Sequence, residues 1–312
     1  MLSKVAHLSQ QDGQITLNTW KIISTEYHLS QKITFKPSRK VGSVAASDIA
    51  NRLFRTSNIK PQKNEKIEAR KELSELLNLC EEKTAFMKDF TKEEVLNALK
   101  SVKNGKAAGT DGVLPKFLKN LGPRSTNWIA TLATNIVNSI NIPKSWRESK
   151  VIAILKPNKE PTDPKNYRPI SLLSSTYKLF ERMILACLQP IIEASLPIEK
   201  AGFRKNRNCC DQALALATHI ENRFQRQQKS GAVFLDLSFA YDTIWKRGLI
   251  LKLAKILKCR TTVRLIDNIL SNRKFPVSFS GKESHYKRLQ NGLPQGSVLS
   301  PLLFNAYIAD II

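Results

Sequence analysis

Apolar residues recur at helical spacing along much of the chain from residue 45 onward, and short continuous apolar runs of strand length lie between these stretches. The spacing predicts a short helix over Ala45–Phe54, with Ala46, Ile49, Ala50 and Leu53 on one face. A charged helix follows over Glu65–Lys83, with Ile67, Leu73, Leu76 and Leu77 aligned. Thr91 with Glu94 three residues on is a capping box, and Val95, Leu96, Leu99 and Val102 supply the stripe of the helix that it opens. Asn104-Gly105 stops that helix. Further helices are expected over Asn127–Ser139, Tyr177–Ala194, Asp211–Gln228, Leu249–Leu257, Val263–Leu270 and from Ser300 onward.

Three runs read as strands. Lys150–Leu155 and Tyr167–Leu173 are joined across a turn at Lys156-Pro157-Asn158-Lys159. Ala232–Leu237 is apolar except for Asp236. Phe275–Phe279 and Tyr286–Leu289 flank Ser280-Gly281-Lys282, a hairpin signal. Helices mixed with short strands imply a mixed α/β domain. The first 65 residues mix Ser, Thr, Gln and Lys with weak periodicity. Residues 1–90 are therefore expected to form a partly disordered linker or extension.

The chain has 312 residues, 42% of them hydrophobic and 24% charged, which excludes a disordered tail, a collagen and a disulfide-stapled miniprotein. No run approaches the roughly 18 apolar residues that span a bilayer. The five cysteines, Cys80, Cys187, Cys209, Cys210 and Cys259, show no zinc spacing and read as reduced thiols of an intracellular protein that is not secreted. The formal charge is +24, from 50 Lys and Arg against 26 Asp and Glu. Residues 91–312 hold 35 of those cations and 16 of the acids. A folded domain this basic attracts a polyanion, nucleic acid before a membrane surface.

Two strings carry candidate chemistry. In Phe234–Thr243, a carboxylate at the end of an apolar strand, Asp236, needs a partner such as Mg²⁺, a hard cation that takes oxygen ligands. Tyr241 and Asp242 follow one turn later. A helix-capping Asp is the alternative for Asp236. In Gly292–Pro301, a Gly- and Pro-rich loop enters a helix, so that its backbone can approach a flat ligand while Gln295 hydrogen-bonds it. A generic turn explains the glycines but not the whole string. A third segment, Gly105–Gly112, suits a phosphate backbone and equally a plain connector. The four histidines form no cluster, and Trp128, Trp146 and Trp245 read as core anchors.

With Lys103–Gly112, Trp146, Ile154–Pro157, Tyr167–Leu173, Ala201-Gly202-Phe203-Arg204, Phe234–Asp242 and Gly292–Asn305 in this order, residues 91–312 resemble the reverse transcriptase domain of non-LTR (LINE-type) retrotransposons of the jockey-like clade. The resemblance implies an α+β right-hand polymerase. Its fingers would span about 91–230 and its partial palm about 231–312, built on an antiparallel sheet with packed helices. It implies RNA-directed DNA polymerase activity, a nucleotidyl transfer, on an RNA template with a DNA primer and dNTPs. The setting would be a ribonucleoprotein with the element RNA in cytoplasm and nucleus.

In residue terms, the resemblance makes Asp236 the catalytic carboxylate holding two Mg²⁺ ions (Mn²⁺ being the alternative metal), helped by the carbonyl of Leu237. Tyr241 becomes the steric gate against a ribose 2′-hydroxyl. Gln295 and Gly296 lie by the nascent base pair, and Lys156 and Arg168 hold the triphosphate. Lys106 and Arg204 contact template or primer. Lys200 departs from the family pattern just before Ala201. The family's next motif, an aromatic-Ala-Asp-Asp hairpin, is not reached by Ile312, and the thumb is likewise expected to be absent. The chain alone is therefore expected to be inactive. Asp310, on a helix, is no substitute. The alternatives are a basic remnant that binds nucleic acid without chemistry, an inert fragment of a decayed element, and an RNA-directed RNA polymerase, against which Tyr241 argues.

Overall fold

The computed structural model describes residues 44–58, 61–82, 88–232 and 234–311. Helix α1 spans Ala46–Ser57 and α2 spans Lys63–Leu79. Each opens on an acid that accepts from the backbone ahead of it, Asp48 from Ala45 N at 2.8 Å and Glu65 from Gln62 N at 2.9 Å. Helix α3 (Lys92–Lys100) starts on the expected capping box: Thr91 Oγ1 accepts from Glu94 N at 3.2 Å, and Glu94 accepts from Thr91 N at 2.7 Å. Then follow α4 (Pro115–Lys119), α5 (Pro123–Ser139), β1 (Ser149–Leu155), β2 (Tyr167–Leu173), α6 (Ser175–Ala194), α7 (Cys209–Gln225), α8 (Lys246–Leu257) and α9 (Arg260–Leu270). Four short strands come next: β3 (Lys274–Phe275), β4 (Val277–Phe279), β5 (Lys282–Glu283) and β6 (Lys287–Arg288). Helix α10 (Ser300–Ile308) ends the series.

The main sheet runs β2-β1-β4-β5, and a second pair joins β3 to β6. β1 and β2 are antiparallel over seven residue pairs, from Ser149↔Leu173 to Leu155↔Tyr167. The hairpin expected at residue 280 forms between β4 and β5. Ser280 and Gly281 both take positive φ, 51° and 76°, the backbone twist that a two-residue hairpin turn demands. The wholly antiparallel sheet expected for the fold is corrected in one respect: β4 runs parallel to β1, pairing Val151 with Val277. This pairing also joins a strand expected in the palm half to one expected in the fingers half.

Two apolar clusters hold these elements. The larger gathers α3, α5, α6, α8, α9 and α10 around Trp146, whose ring lies 5.6 Å from Tyr177 and 5.4 Å from Phe180. In the smaller, Ile49, Ala50 and Leu53 of α1 pack on Val151, Tyr167, Phe275 and Val277. Helix α2 is tied to the start of α9. Arg260 Nε donates to Leu77 O at 2.7 Å, and Glu72 pairs with Lys255 of α8 at 2.6 Å. From Val44 onward, the segment expected to be a linker is therefore part of the packed body, because both helices carry an apolar face that the strands and α8 cover. The rest of that expectation, residues 1–43, lies outside the described residues.

Two further expectations change. Residues 234–237 carry no regular secondary structure, and Phe234 and Leu235 are 83% and 82% exposed. A strand persists when a neighbour satisfies its backbone groups, and among the described residues none pairs with this segment. Val233 lies outside the described residues. Trp128 is also exposed, while Trp146 is the core anchor expected. Among the described residues no helix is long and apolar enough to cross a membrane.

Candidate active site

Register places the first two candidate cations. Ile154 stands opposite Arg168 in the β1–β2 ladder, so Lys156, two residues on, emerges at the same open end as Arg168. Lys156 N is held by Asn166 O at 2.7 Å, and its Nζ donates to Lys165 O at 3.0 Å. Arg168 is exposed.

The Asp236 string and the Gly292 string, some fifty residues apart, are knitted together by backbone hydrogen bonds. Leu293 N donates to Tyr241 O and Gly292 N to Ile244 O, both at 2.8 Å. Gly292 sits at φ 85°, and a Cβ there would lie 2.6 Å from Asp242 O, so only glycine fits. On its other side the loop joins β2: Ser171 N donates to Gln295 O at 2.7 Å. A Cβ on Gly296 would meet Ser171 O at 2.5 Å. The expected role of Gly296 beside a nascent base pair is thus preceded by an intrachain reason for the glycine, the close approach of loop and strand.

The side chains follow from this frame. Gln295 Nε2 donates to Asp242 Oδ1 at 3.1 Å. Burial pushes the Asp242 carboxyl up, and the Gln295 bond, Arg52 and Lys156 pull it back. Tyr241 stacks on Phe304 of α10 with centroids 4.9 Å apart and meets Phe203 edge-on at 6.0 Å. Its phenol is pushed up to about 12 by burial, so it stays protonated. A cavity of about 370 Å³ opens among these groups, lined by Lys156, Arg168, Asp236, Leu237, Tyr241, Asp242 and Gln295. Six of the residues nominated from sequence, from four separate strings, therefore face one space.

Two nominations end elsewhere, and a third differs in its burial. Asp236 lines the cavity but is exposed, so the desolvated strand-end carboxylate expected from its neighbours is corrected: without a paired strand around it, nothing removes it from water. Arg204, expected on nucleic acid, is turned into its own loop. Its Nε lies 2.6 Å from Glu193 Oε1, and its Nη1 donates to Pro197 O at 2.6 Å and Lys200 O at 2.9 Å. A guanidinium this fully engaged has little left for a phosphate. Lys106 is exposed and does not line the cavity. In its loop, a Cβ on Gly109 would overlap Leu173 O at 2.0 Å, and Asp111 accepts from Ser174 Oγ and from Thr176 N. The glycine there serves the junction of β2 with α6.

Sequence reasoning missed two residues of the frame. Glu181, buried in α6, accepts from Ser297 Oγ and, at 2.9 Å, from Val298 N, and so holds the far end of the Gln295 loop. Burial pushes its carboxyl up, against these same bonds. Its signal was an acid at an inward position of an amphipathic helix. Arg52 of α1 also lines the cavity; it lay in the segment read as a linker. Asp310, discounted from sequence, is engaged with Lys252, which holds its carboxyl below the usual range.

The cavity thus brings together cations, two carboxylates and a tyrosine held by two aromatic rings. The family model for reverse transcriptase (RNA-dependent DNA polymerase) matches residues 154–312, and the chain belongs to that family. Over 227 residues it is 35% identical to the probable RNA-directed DNA polymerase from transposon BS of Drosophila melanogaster, covering 72% of this chain and 25% of that protein. It is 33% identical over 223 residues to the RNA-directed DNA polymerase from mobile element jockey of Drosophila funebris, covering 71% and 24%. The corresponding protein from transposon X-element of Drosophila melanogaster is 33% identical over 220 residues, covering 70% and 24%. The jockey-type, non-LTR resemblance read from the motifs is borne out, and the chain spans about a quarter of the length of these curated relatives.

Proposed function

We propose that this chain supplies the nucleotide-binding part of an RNA-directed DNA polymerase active site. One observation carries the reading: Lys156, Arg168, Asp236, Tyr241 and Gln295 line a single cavity whose volume suits a nucleotide. Lys156 and Arg168 bind triphosphate oxygens, since cationic donors match them in charge and hydrogen bonding. The Tyr241 ring, fixed by Phe304 and Phe203, closes the space that a 2′-hydroxyl would need. Gln295 and Asp242 form the polar floor beneath the base pair, with Gly296 at its edge.

Divalent metal belongs to this family's chemistry, and we assign Mg²⁺, with Mn²⁺ as the substitute. Asp236 and the Leu237 carbonyl fit one such ion, because Mg²⁺ is commonly held by one or two carboxylates plus substrate phosphates. Among the described residues no group of three or more His, Cys, Asp or Glu could hold a metal ion. When bound, Mg²⁺ neutralises charge on the transferring phosphoryl group. With Asp236 as the carboxylate assigned to the metal and Asp242 bonded to Gln295, we expect this chain alone to bind substrates without extending a primer.

RNA template and DNA primer are the polyanions that the basic surface serves, in an intracellular ribonucleoprotein of cytoplasm and nucleus. The test is a titration of the 312-residue chain with dGTP and Mg²⁺. Lys156→Ala should weaken binding about tenfold, the loss of one charge-assisted contact. Equal affinity in the two proteins would sink the reading.

A further inference from the structure

Arg52 is the one residue of α1 that brings a charge into the cavity. Its helix cannot drift. Ile49, Ala50 and Leu53 are buried on the sheet, and Ser57 O accepts from Asn291 N at 3.0 Å, just ahead of the Gln295 loop. The guanidinium Cζ lies 4.7 Å from the centroid of the Phe239 ring, and Lys156 Nζ lies 6.0 Å from the same centroid. Phe239 itself is held at φ 56°, a conformation that a bulky side chain adopts only where its surroundings impose it. Its ring thus lies near two cations, three residues after Asp236.

The hydrogen bonding of Arg52 is incomplete. Its Nη1 is buried and has no hydrogen-bond partner among the described residues. Asp163 and Asp242 act on it through space, but no ion pair to Arg52 forms within 4 Å among the described residues. Burial accordingly holds the guanidinium below its ordinary range, partly offset by these two acids. A buried donor without an acceptor is unfavourable, more so on a charged group, and an incoming anion would remove that penalty.

We propose that Arg52 is a triphosphate-binding residue, so that the segment ahead of Thr91 contributes a third cation to the nucleotide site beside Lys156 and Arg168. The proposal rests on the nucleotide-pocket reading above and deepens it. The planar fork of a guanidinium suits two phosphate oxygens at once, and the aromatic ring beneath it keeps the fork oriented. Its place inside the cavity, with Asp236, Tyr241 and Gln295, favours the nucleotide over the nucleic-acid backbone, which needs an open surface.

The test uses the 312-residue chain with two probes, dGTP with Mg²⁺ and inorganic tripolyphosphate, each titrated calorimetrically. Arg52→Gln should weaken both about tenfold, and Arg52→Lys, which keeps the charge but loses the fork, about threefold. The melting temperature of Arg52→Gln should not fall, since the variant removes a partly buried charge with an unpartnered donor. A lowered melting temperature with unchanged affinities would make Arg52 a packing residue and overturn the proposal. Weakened dGTP with unchanged tripolyphosphate would move the contact to sugar or base and overturn it. If Lys156→Ala weakens dGTP and the Arg52 variants do not, the pocket stands and the Arg52 assignment alone fails. A wild-type chain that binds neither probe overturns both. Should Arg52→Gln not fold, Arg52→Lys carries the comparison.

Discussion

The amide of Gln295 donates to the carboxylate of Asp242 across 3.1 Å, joining two strings that lie 53 residues apart in the chain. Asp242 is buried and its carboxyl is raised, with burial the larger influence and the Gln295 bond opposing it. A raised acid binds its proton more tightly in the folded chain than in the unfolded one. Folding stability therefore falls as pH rises from the ordinary Asp range through the raised value. Gln295→Leu should deepen that fall and lower stability at pH 7 by about 1–3 kcal/mol, the cost of an orphaned buried acceptor. Urea titrations at pH 4 and pH 7 check it. A loss equal at both pH values would show that Asp242 does not feel the amide.

The gate prediction follows from the ring packing of Tyr241. Tyr241→Val removes the ring that limits the sugar, and nucleotide titrations should then show the preference for dGTP over GTP falling about tenfold, within the range that a reshaped apolar pocket commonly gives. Phe304→Leu should act in the same direction but less strongly, because it loosens the stack at 4.9 Å without removing the ring. An unchanged ratio in both variants would place the gate elsewhere.

Lys246 opens α8 in a half-buried position, its Nζ donating to Leu289 O at 2.8 Å. Burial first, then Arg273, lowers its ammonium from 10.5 to about 7, with Asp267 opposing. The unfolded chain holds this proton up to a much higher pH than the folded chain does. Stability should therefore rise with pH between about 7 and 10.5 and be flat below that window, as far as this group is concerned. Lys246→Met should raise the melting temperature most at pH 7, with its advantage shrinking by pH 9. Calorimetric scans at the two pH values decide, and a constant difference would refute the assignment.

Binding to RNA should be sequence-tolerant and should weaken steeply with salt, because bound cations leave the phosphates on association. Lys106 is exposed, so Lys106→Ala should reduce the slope of log affinity against log salt by about one. Arg204→Ala should leave that slope unchanged, since its guanidinium is spent on Glu193, Pro197 and Lys200. A flat salt dependence in the wild-type chain would exclude an electrostatic mode.

Much of this architecture could be read from the residues alone, for a local reason. The stripe of Val95, Leu99 and Val102 (Leu96, expected on it, is exposed), the Thr91–Glu94 capping box, the paired runs of β1 and β2 and the turn at Ser280-Gly281 are set by period, cap and turn chemistry within a few residues of each other. The family strings were equally legible, because each is a short run. What lay outside their reach depends on which distant faces meet. Arg204 belongs to a family string and Arg52 lies in a segment read as a linker, so the sequence favoured the wrong one of the two. Only the folded chain turns one into the cavity with an unused donor and ties the other to an acid and two carbonyls. Residues 234–237 have the composition of a strand, yet a strand is a property of two segments, and among the described residues the second is missing. The parallel pairing of β4 with β1 and the grip of Glu181 on Ser297 and Val298 are likewise contacts between residues more than a hundred positions apart, whose energy comes from burial and hydrogen bonding that exist only once the helices have packed.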